Sequence, residues 1–253
     1  MAWFDWGWLR SLLAWFSPPR QQGASSFHLF WRGVPDDVVV AAATLEVMER
    51  PTVDELYFWA LQVSFDGPSG RTGGAHLGLQ HHPGYPESSA ANWGGYDDIA
   101  GGTLEGTASD LPSALGNENT RTYHWEAQRR YRLEISRAPS GWWQGSVTDL
   151  ASGDTTAIRE LNGRDGDRLV GLAVWSEVFA PCDAPATTVR WADLEYTTAS
   201  GQRGAPLGLE VNYQAQSAGG CANTDSYLEG ETALQSTNTK RKTPQGTYLR
   251  WPS

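Results

Sequence analysis

Residues 56–65 read LYFWALQVSF, and this stretch decides the fold. Its even positions turn polar at Gln62 and Ser64, whereas its odd positions are all apolar: Tyr57, Trp59, Leu61, Val63 and Phe65. Successive side chains of a β-strand point to opposite faces of a sheet, so a period of two predicts a strand with one face on a core. We therefore expect the odd residues in the core and part of the even face in contact with solvent.

The same alternation recurs along the chain, with turn residues between the candidate strands. The further candidates span residues 27–34, 38–48, 75–80, 131–136, 142–149, 155–161, 169–179, 189–196 and 207–213, with a bulge near Ala192. About ten short strands without a helix after residue 20 predict an all-β, antiparallel sandwich or barrel. We expect one domain over residues 27–253, less regular from about residue 215. Residues 81–122 lack periodicity and are expected to form a long loop that contains one short strand at 92–96.

The composition narrows the classes of partner. The chain has 253 residues and a net charge of −10, which argues against nucleic acid, because phosphate binding requires clustered cations. A basic stretch near the end (Lys240, Arg241, Lys242 and Arg250) is expected to be a solvated tail. Thirteen tryptophans exceed what one core needs, so some are expected at a surface that binds a ligand.

The first twenty residues form a separate aromatic segment. Leu9, Leu12, Leu13 and Phe16 recur at helical spacing, and the two prolines at 18 and 19 end that pattern. A short amphipathic helix is predicted, which either packs on the domain or docks through residues 3–16 on a membrane surface or a partner protein. The segment lacks the features of a signal peptide, although an extracellular or cell-surface location is favoured.

The two cysteines, Cys182 and Cys221, allow one disulfide and are too few for a structural zinc site. Both lie in turn-like segments, so we predict that they are joined if the protein is exported. The alternative is a pair of buried free thiols.

Several short sequence motifs resemble those of a known family. The run Tyr57–Leu61, then Gly74–Gln80 and Trp93, is similar to a pattern in bacterial secreted proteins related to the concanavalin A-like lectins and glucanases. The motifs at 123–125, 131–133 and 175–177 resemble the later strands of those proteins. This resemblance covers residues 27–200 and implies a two-sheet jelly-roll sandwich of concanavalin A-like type, one sheet of which could bind sugar. The clustered E-x-D-x-x-E carboxylates of the glucanases are missing, which puts glycoside hydrolysis in doubt.

The chain contains candidate residues for two kinds of catalytic centre. Glu134 and Glu177 are the candidate catalytic pair, because a glycosidase needs two carboxyl groups that flank the scissile bond. No metal site is predicted, since ordinary surface positions account for His76, His81 and His82 better than zinc ligation does. No cofactor is expected, and the alternative is calcium held by Asn92, Asp97 and Asp98.

A set of aromatic and polar residues falls on the polar parity of strands expected to be neighbours, or in the loop beside them. A saccharide or other small polar ligand is expected to bind a groove lined by Gln62, His76, Gln80, Trp93, Glu134, Trp142 and Gln144. Such a mixture of apolar platforms and polar groups suits sugar rings. The first functional hypothesis is a non-catalytic, carbohydrate-recognising module or lectin. The alternatives are an enzyme that cleaves polysaccharide or another small molecule, and a structural or surface-interaction protein.

Overall fold

The computed structural model describes residues 24–251, and the regular secondary structure of these residues is almost entirely β-strand. Two single turns of 3₁₀ helix, Pro86–Ser88 and Gln216–Ala218, interrupt the strands. In chain order the strands are β1 Ser25–Arg32, β2 Val38–Val47, β3 Tyr57–Gly67, β4 Gly70–His81, β5 Ser89–Asp97, β6 Ser113–Ala114, β7 Asn117–Thr122, β8 Arg130–Arg137, β9 Trp143–Asp149, β10 Thr155–Leu161, β11 Arg168–Val178, β12 Thr188–Thr198, β13 Arg203–Gly204, β14 Gly208–Tyr213, β15 Asp225–Glu229, β16 Thr232–Ser236 and β17 Tyr248–Arg250.

The strands pair antiparallel in one continuous sheet that curls into two layers. The first layer has the order β17–β14–β1–β11–β3–β4–β5–β7–β6. The second has the order β15–β16–β12–β2–β8–β9–β10, and β13 pairs with the far end of β12. The pair Leu169–Val38 joins β11 of one layer to β2 of the other. The predicted all-β, antiparallel sandwich is confirmed.

Strand β3 has the predicted register. The odd residues from Tyr57 to Phe65 all belong to the main core, and Trp59 and Leu61 are only 2% and 0% exposed. Because β3 lies between β11 and β4, its even residues point out of the first layer together with those of its neighbours. The bulge predicted near Ala192 is also present, since the pairing of β12 with β2 shifts between Ala192 and Glu195.

The connection over residues 81–122 is more regular than predicted. It contains β5, β6 and β7, where the sequence indicated a single short strand. Strand β5 (SAANWGGYD) is built largely of small residues, which hide the alternation. Gly95 of β5 leaves room for Leu104, whose side chain would lie 2.8 Å from an added Cβ. Trp93 lies fully buried against Gly145 of β9, where an added Cβ would be 2.7 Å from the Trp93 ring.

The C-terminal part completes both layers. Strands β15 and β16 extend the second layer beside β12, and β17 extends the first beside β14. A disulfide joins Cys182, just after β11, to Cys221, just after β14, as predicted. Within residues 24–251, no helix is long and apolar enough to cross a membrane. The helix expected over residues 1–20 lies outside the described residues.

One buried polar side chain connects the two layers. Gln235 of β16 is 1% exposed, and its Oε1 accepts hydrogen bonds from Ser176 Oγ and Trp191 Nε1, both at 3.0 Å. Its Nε2 donates to the backbone oxygen of Phe27 at 2.8 Å. All three groups are therefore satisfied by one amide inside the core, where an unpaired polar group would be costly.

Candidate functional site

The outward side chains of the central strands of the first layer form a continuous surface, named here the Glu177 face. It comprises His28 and Phe30 of β1, Phe58, Ala60 and Gln62 of β3, His76 and Gln80 of β4, Asn92 of β5, and Trp175 and Glu177 of β11. The pairing fixes their neighbours. Ser26, Glu177, Phe58 and Gln80 stand in one row across β1, β11, β3 and β4.

Aromatic rings dominate the middle of this face. The His28 ring stacks between those of Phe30 and Trp175, with centroid distances of 5.4 and 5.3 Å. Phe58 and His76 present their edges to Trp175 at 5.3 and 5.2 Å. Phe58, Ala60 and Trp175 form a hydrophobic cluster separate from the main core. Each of the three is at most 5% exposed, so the cluster is a small buried core on the outer side of the first layer.

Two polar atoms in the cluster have no partner. Trp175 Nε1 and His28 Nδ1 are both buried, and no group within residues 24–251 is hydrogen-bonded to either. Shielding such atoms from water without a partner costs free energy. Burial lowers the pKa of His28 and of His76 to about 4, and the rings are therefore neutral at pH 7.

Glu177 is the one carboxyl group of the five central strands without a cationic partner among the described residues. Strands β1, β3, β4, β5 and β11 contain three carboxyl groups in all, and those of Asp66 and Asp97 are paired with Arg168 and Arg164. Burial raises the pKa of Glu177, and a 3.3 Å hydrogen bond from Ser26 Oγ offsets part of that effect. Glu177 therefore holds its proton more tightly than an ordinary glutamate does.

A groove of about 580 Å³ lies beside this carboxyl group and is open to solvent. One wall is formed by Glu177 of β11 and by Phe179, which directly follows that strand. The opposite wall is formed by Asn212 of β14 and by Gln214, which directly follows β14. Its floor is the beginning of β1, from Ala24 to His28. Gln214 is held in place, since its Oε1 accepts from Ser26 N and its Nε2 donates to Ala218 O.

Gln80 stands on the other side of Phe58 in the same row. Its Oε1 accepts hydrogen bonds from the Tyr85 hydroxyl at 3.0 Å and from Thr120 Oγ1 at 3.3 Å. These two donors fix the orientation of the amide and leave its Nε2 hydrogens as the donors of the side chain. Two strand spacings place the Cα atoms of Glu177 and Gln80 about 10 Å apart. A carboxyl group and a neutral amide donor thus flank the Phe58 ring.

The seven residues predicted to line one groove lie on several surfaces. Gln62, His76 and Gln80 belong to the Glu177 face, whereas Trp93 is fully buried in the core. Glu134 and Gln144 belong to β8 and β9 of the second layer, and half-buried Trp142 lies just before β9. Strands whose polar residues share a parity occur in both layers, so parity alone did not bring these residues together.

The candidate pair Glu134 and Glu177 is also separated, because the two residues lie on different layers. Glu134 lies on the outer face of the second layer, 3.5 Å from Arg132, in a shallow depression that also contains Glu195. The core lies between the two carboxyl groups, so they do not flank one bond, as a glycosidase would require.

The residues considered for metal binding are dispersed. Asp97 pairs with Arg164, Asp98 with Arg71, and Asn92 Nδ2 donates to Thr120 Oγ1. Within residues 24–251, no group of three or more His, Cys, Asp or Glu side chains is placed to hold a metal ion.

Sequence reasoning missed His28, Phe58 and Trp175 as parts of the site. The alternation of the strands contained this information. Trp175 has the same parity as Glu177, and Phe58 has the same parity as Gln62. An aromatic residue in an apolar strand is ordinarily a core residue, so the pattern alone did not single them out.

Comparison with known proteins shows no family for this chain. No protein-family model matches the sequence, and no curated protein does. A crystal structure of scytalido-glutamic peptidase with a peptide-based transition-state analogue matches with a TM-score of 0.48 and 12% identity, covering 86% of this chain and 99% of that one. SCP-B, a member of the eqolisin family of peptidases, in complex with the tripeptide Ala-Ile-His, matches with a TM-score of 0.45 and 11% identity, covering 86% and 99%.

These neighbours correct the first functional hypothesis. They are peptidases and not lectins, so the prediction of a non-catalytic, carbohydrate-recognising lectin is wrong. At this identity and TM-score, no residue role or substrate is transferred to the chain.

Proposed function

We propose that this protein is a hydrolase of acyl bonds, with Glu177 as its general acid–base group. The observation that carries the proposal is the isolation of Glu177. It is the one carboxyl group of the five central strands without a cation among the described residues, and it borders a groove on a partly buried aromatic face. Perturbed carboxyl groups in such surroundings are typical of catalytic positions.

The chemistry assigned to Glu177 is proton transfer. Its carboxylate takes a proton from an attacking water, and the resulting acid then gives that proton to the leaving nitrogen or oxygen of the substrate. Burial raises the pKa of this group toward the pH at which the same side chain can perform both steps. A positive charge near Glu177 would lower its pKa. The rings of His28 and His76 are neutral and therefore do not have this effect.

Gln80 is assigned to the carbonyl oxygen of the substrate. Charge accumulates on that oxygen when water adds, and a fixed N–H donor stabilises it without having to reorient. The hydrogen bonds from Tyr85 and Thr120 supply this fixed orientation. Phe58 lies between Glu177 and Gln80 and would contact the scissile group from below.

The first test is hydrolysis of an unfolded protein, chosen because the solved neighbours are peptidases. The purified chain is incubated with a reduced and alkylated protein between pH 3 and pH 8, and new fragments are counted by mass spectrometry. We expect Glu177→Gln to lower the rate about 100-fold or more, which is the usual contribution of a general acid–base group.

Glu134→Gln is the matched control, because it makes the same change on the opposite layer and should leave the rate unchanged. Thermal unfolding of each variant verifies that it is folded. The assignment is refuted if the wild-type chain yields no fragments at any pH, or if Glu177→Gln cleaves as fast as wild type.

We also propose that the protein works in an oxidising compartment. The disulfide between Cys182 and Cys221 supports this, because such bonds persist in extracellular or periplasmic surroundings and are rare in the cytosol of mesophiles.

A further inference from the structure

We propose that Arg121 and Arg159 form a binding site for a small oxyanion, a phosphate or a carboxylate. The site lies where β10 of the second layer meets β7 of the first, and it is separate from the Glu177 face. It is argued from the unpaired charges of the two arginines and from the hydrogen-bond donors that they leave free. The inference does not depend on the proposed hydrolase function.

Arg159 of β10 is a buried cation without a carboxylate partner. It is 5% exposed and forms no ion pair within residues 24–251. Its Nη1 donates to the backbone oxygen of Glu118 at 2.7 Å and to Asn119 Oδ1 at 3.3 Å, and both acceptors are neutral. An arginine side chain keeps its proton in a folded protein, and a buried charge without a counter-charge is strongly destabilising. Arg159 therefore lacks the negative charge that its position calls for.

Arg121 of β7 brings a second positive charge to the same place. It pairs with Ala91, a residue of the main core, so its side chain starts on the inner side of the first layer. Asn119, which accepts from Arg159, is two residues away on the same side of β7, a separation of about 7 Å. Arg121 forms no ion pair within residues 24–251, and its Nη1 makes only a long hydrogen bond of 3.5 Å to the Leu111 backbone oxygen.

The electrostatics of the pair agree with this arrangement. Burial lowers the pKa of Arg159, and the positive charge of Arg121 lowers it further. The carboxylate of exposed Glu118 has the opposite effect but does not restore the ordinary value. An anion bound between the two guanidinium groups would relieve both the repulsion and the missing counter-charge.

Both guanidinium groups leave the same edge free. In each of them Nη1 makes the hydrogen bonds, whereas Nε is buried and Nε and Nη2 donate to no group within residues 24–251. The N–H groups of an Nε–Nη2 edge are parallel and match two oxygens of a carboxylate or a phosphate. This match favours an oxyanion over a halide or a neutral ligand. Arg121 is half-buried, so the pair is reached from its side.

The segment that follows β5 holds Arg159 in place. Thr107 N donates to the Glu160 backbone oxygen at 2.9 Å, and Glu160 N donates to Thr107 Oγ1 at 3.0 Å. Gly106 lies directly against the guanidinium group, since an added Cβ would be 1.7 Å from Nη2 of Arg159. The group is therefore fixed before a ligand arrives, which reduces the entropy that binding must overcome.

The test is isothermal titration calorimetry of the full chain with inorganic phosphate, in a chloride buffer of constant ionic strength. We expect one phosphate to bind per chain, with a dissociation constant in the millimolar range or below. A second titration, with acetate, distinguishes the two sources of the oxyanion. Acetate binds as well if the site accepts carboxylates, and phosphate alone binds if the site is selective for phosphoryl groups.

Matched variants locate the site. Arg121→Gln removes one charge and only a 3.5 Å hydrogen bond, so the variant should fold, and we expect it to weaken phosphate binding about tenfold or more. Arg159→Lys keeps the charge but loses the planar edge, and it should also weaken binding. Arg203→Gln is the control, because Arg203 of β13 is exposed on the outer side of the second layer and likewise forms no ion pair within residues 24–251. Its affinity for phosphate should equal that of wild type.

Thermal unfolding of each variant verifies that it is folded and gives a second measure of binding. Phosphate at a few times its dissociation constant should raise the midpoint of wild type and of Arg203→Gln more than that of Arg121→Gln. The proposal is overturned if wild type binds neither anion, or if Arg121→Gln binds phosphate as tightly as wild type does. Binding is measured without a substrate, so neither result depends on whether the chain hydrolyses acyl bonds.

Discussion

Glu177 shows how one residue acquires unusual properties from its surroundings. It is an outward residue of a central strand, yet the aromatic rings of the neighbouring strands remove most of its water. A glutamate at the edge of either layer would remain solvated and ordinary. The neighbours therefore matter as much as the residue itself, and most of them lie more than 90 positions away in sequence.

This environment has a measurable effect on stability. Burial raises the folded-state pKa of Glu177, so the folded chain binds its proton more tightly than the unfolded chain does. The stability that this group contributes is fully present below the pKa of an ordinary glutamate, about 4.3, and is lost as the pH rises through the raised value. We expect Glu177→Gln to be more stable than wild type at neutral pH, with a difference that closes toward pH 4.

Chemical denaturation at several pH values measures that difference. Glu231→Gln, at an exposed turn between β15 and β16, is the control and should follow the wild-type profile. A constant difference between Glu177→Gln and wild type from pH 4 to pH 8 would show that burial does not perturb the carboxyl group.

At the scale of elements, the sequence predicted strands better than it predicted their partners. The period of two predicted the register of β3 correctly. The change of phase of the apolar residues between Trp191 and Leu194 predicted the bulge that the pairing of β12 with β2 contains. Strands β6 and β7 were not predicted, because they are short and consist largely of polar residues. Parity tells which side of a strand is buried but not which layer the strand joins. Glu134 and Glu177 therefore looked equivalent in sequence, although the core separates them in the fold.

Gln235 joins elements that no local pattern relates. It links β16 to β11, β12 and β1 through one buried amide. Gln235→Ala would leave the Trp191 N–H, the Ser176 hydroxyl and the Phe27 carbonyl without this partner. Because each unsatisfied buried group costs about 1–3 kcal/mol, we expect the free energy of unfolding to fall by about 3 kcal/mol or more.

Urea denaturation checks this expectation. Gln202→Ala, at an exposed turn after β12, makes the same truncation without a buried network and should change stability by less than about 0.5 kcal/mol. Equal losses for the two variants would mean that the amide does not hold the layers together.

At the scale of the whole molecule, the disulfide ties the end of β11 to the end of β14. It encloses β12, β13 and β14 in a loop, with the two cysteines 39 positions apart in sequence. On the chain-entropy model, closing a loop of this length stabilises the fold by about 4 kcal/mol. We expect the double variant Cys182→Ser, Cys221→Ser to lose stability of that order in oxidising buffer.

Guanidinium denaturation with and without dithiothreitol tests this prediction. Reductant should lower the wild-type midpoint toward that of the double variant and leave the variant itself unaffected. The prediction is contradicted if reductant leaves the wild-type midpoint unchanged although thiol titration shows that both cysteines are reduced.

The position of β1 has a consequence for the synthesis of the chain. This first described strand is bonded on both sides, yet its partners are β11 and β14, and Ser26 precedes its contact Glu177 by 151 residues. A ribosome that adds 5–20 residues per second therefore makes β1 on the order of ten seconds before either neighbour exists. The nascent chain must keep an apolar strand unpaired during that interval, so we expect the yield of folded protein to depend on chaperone protection during translation.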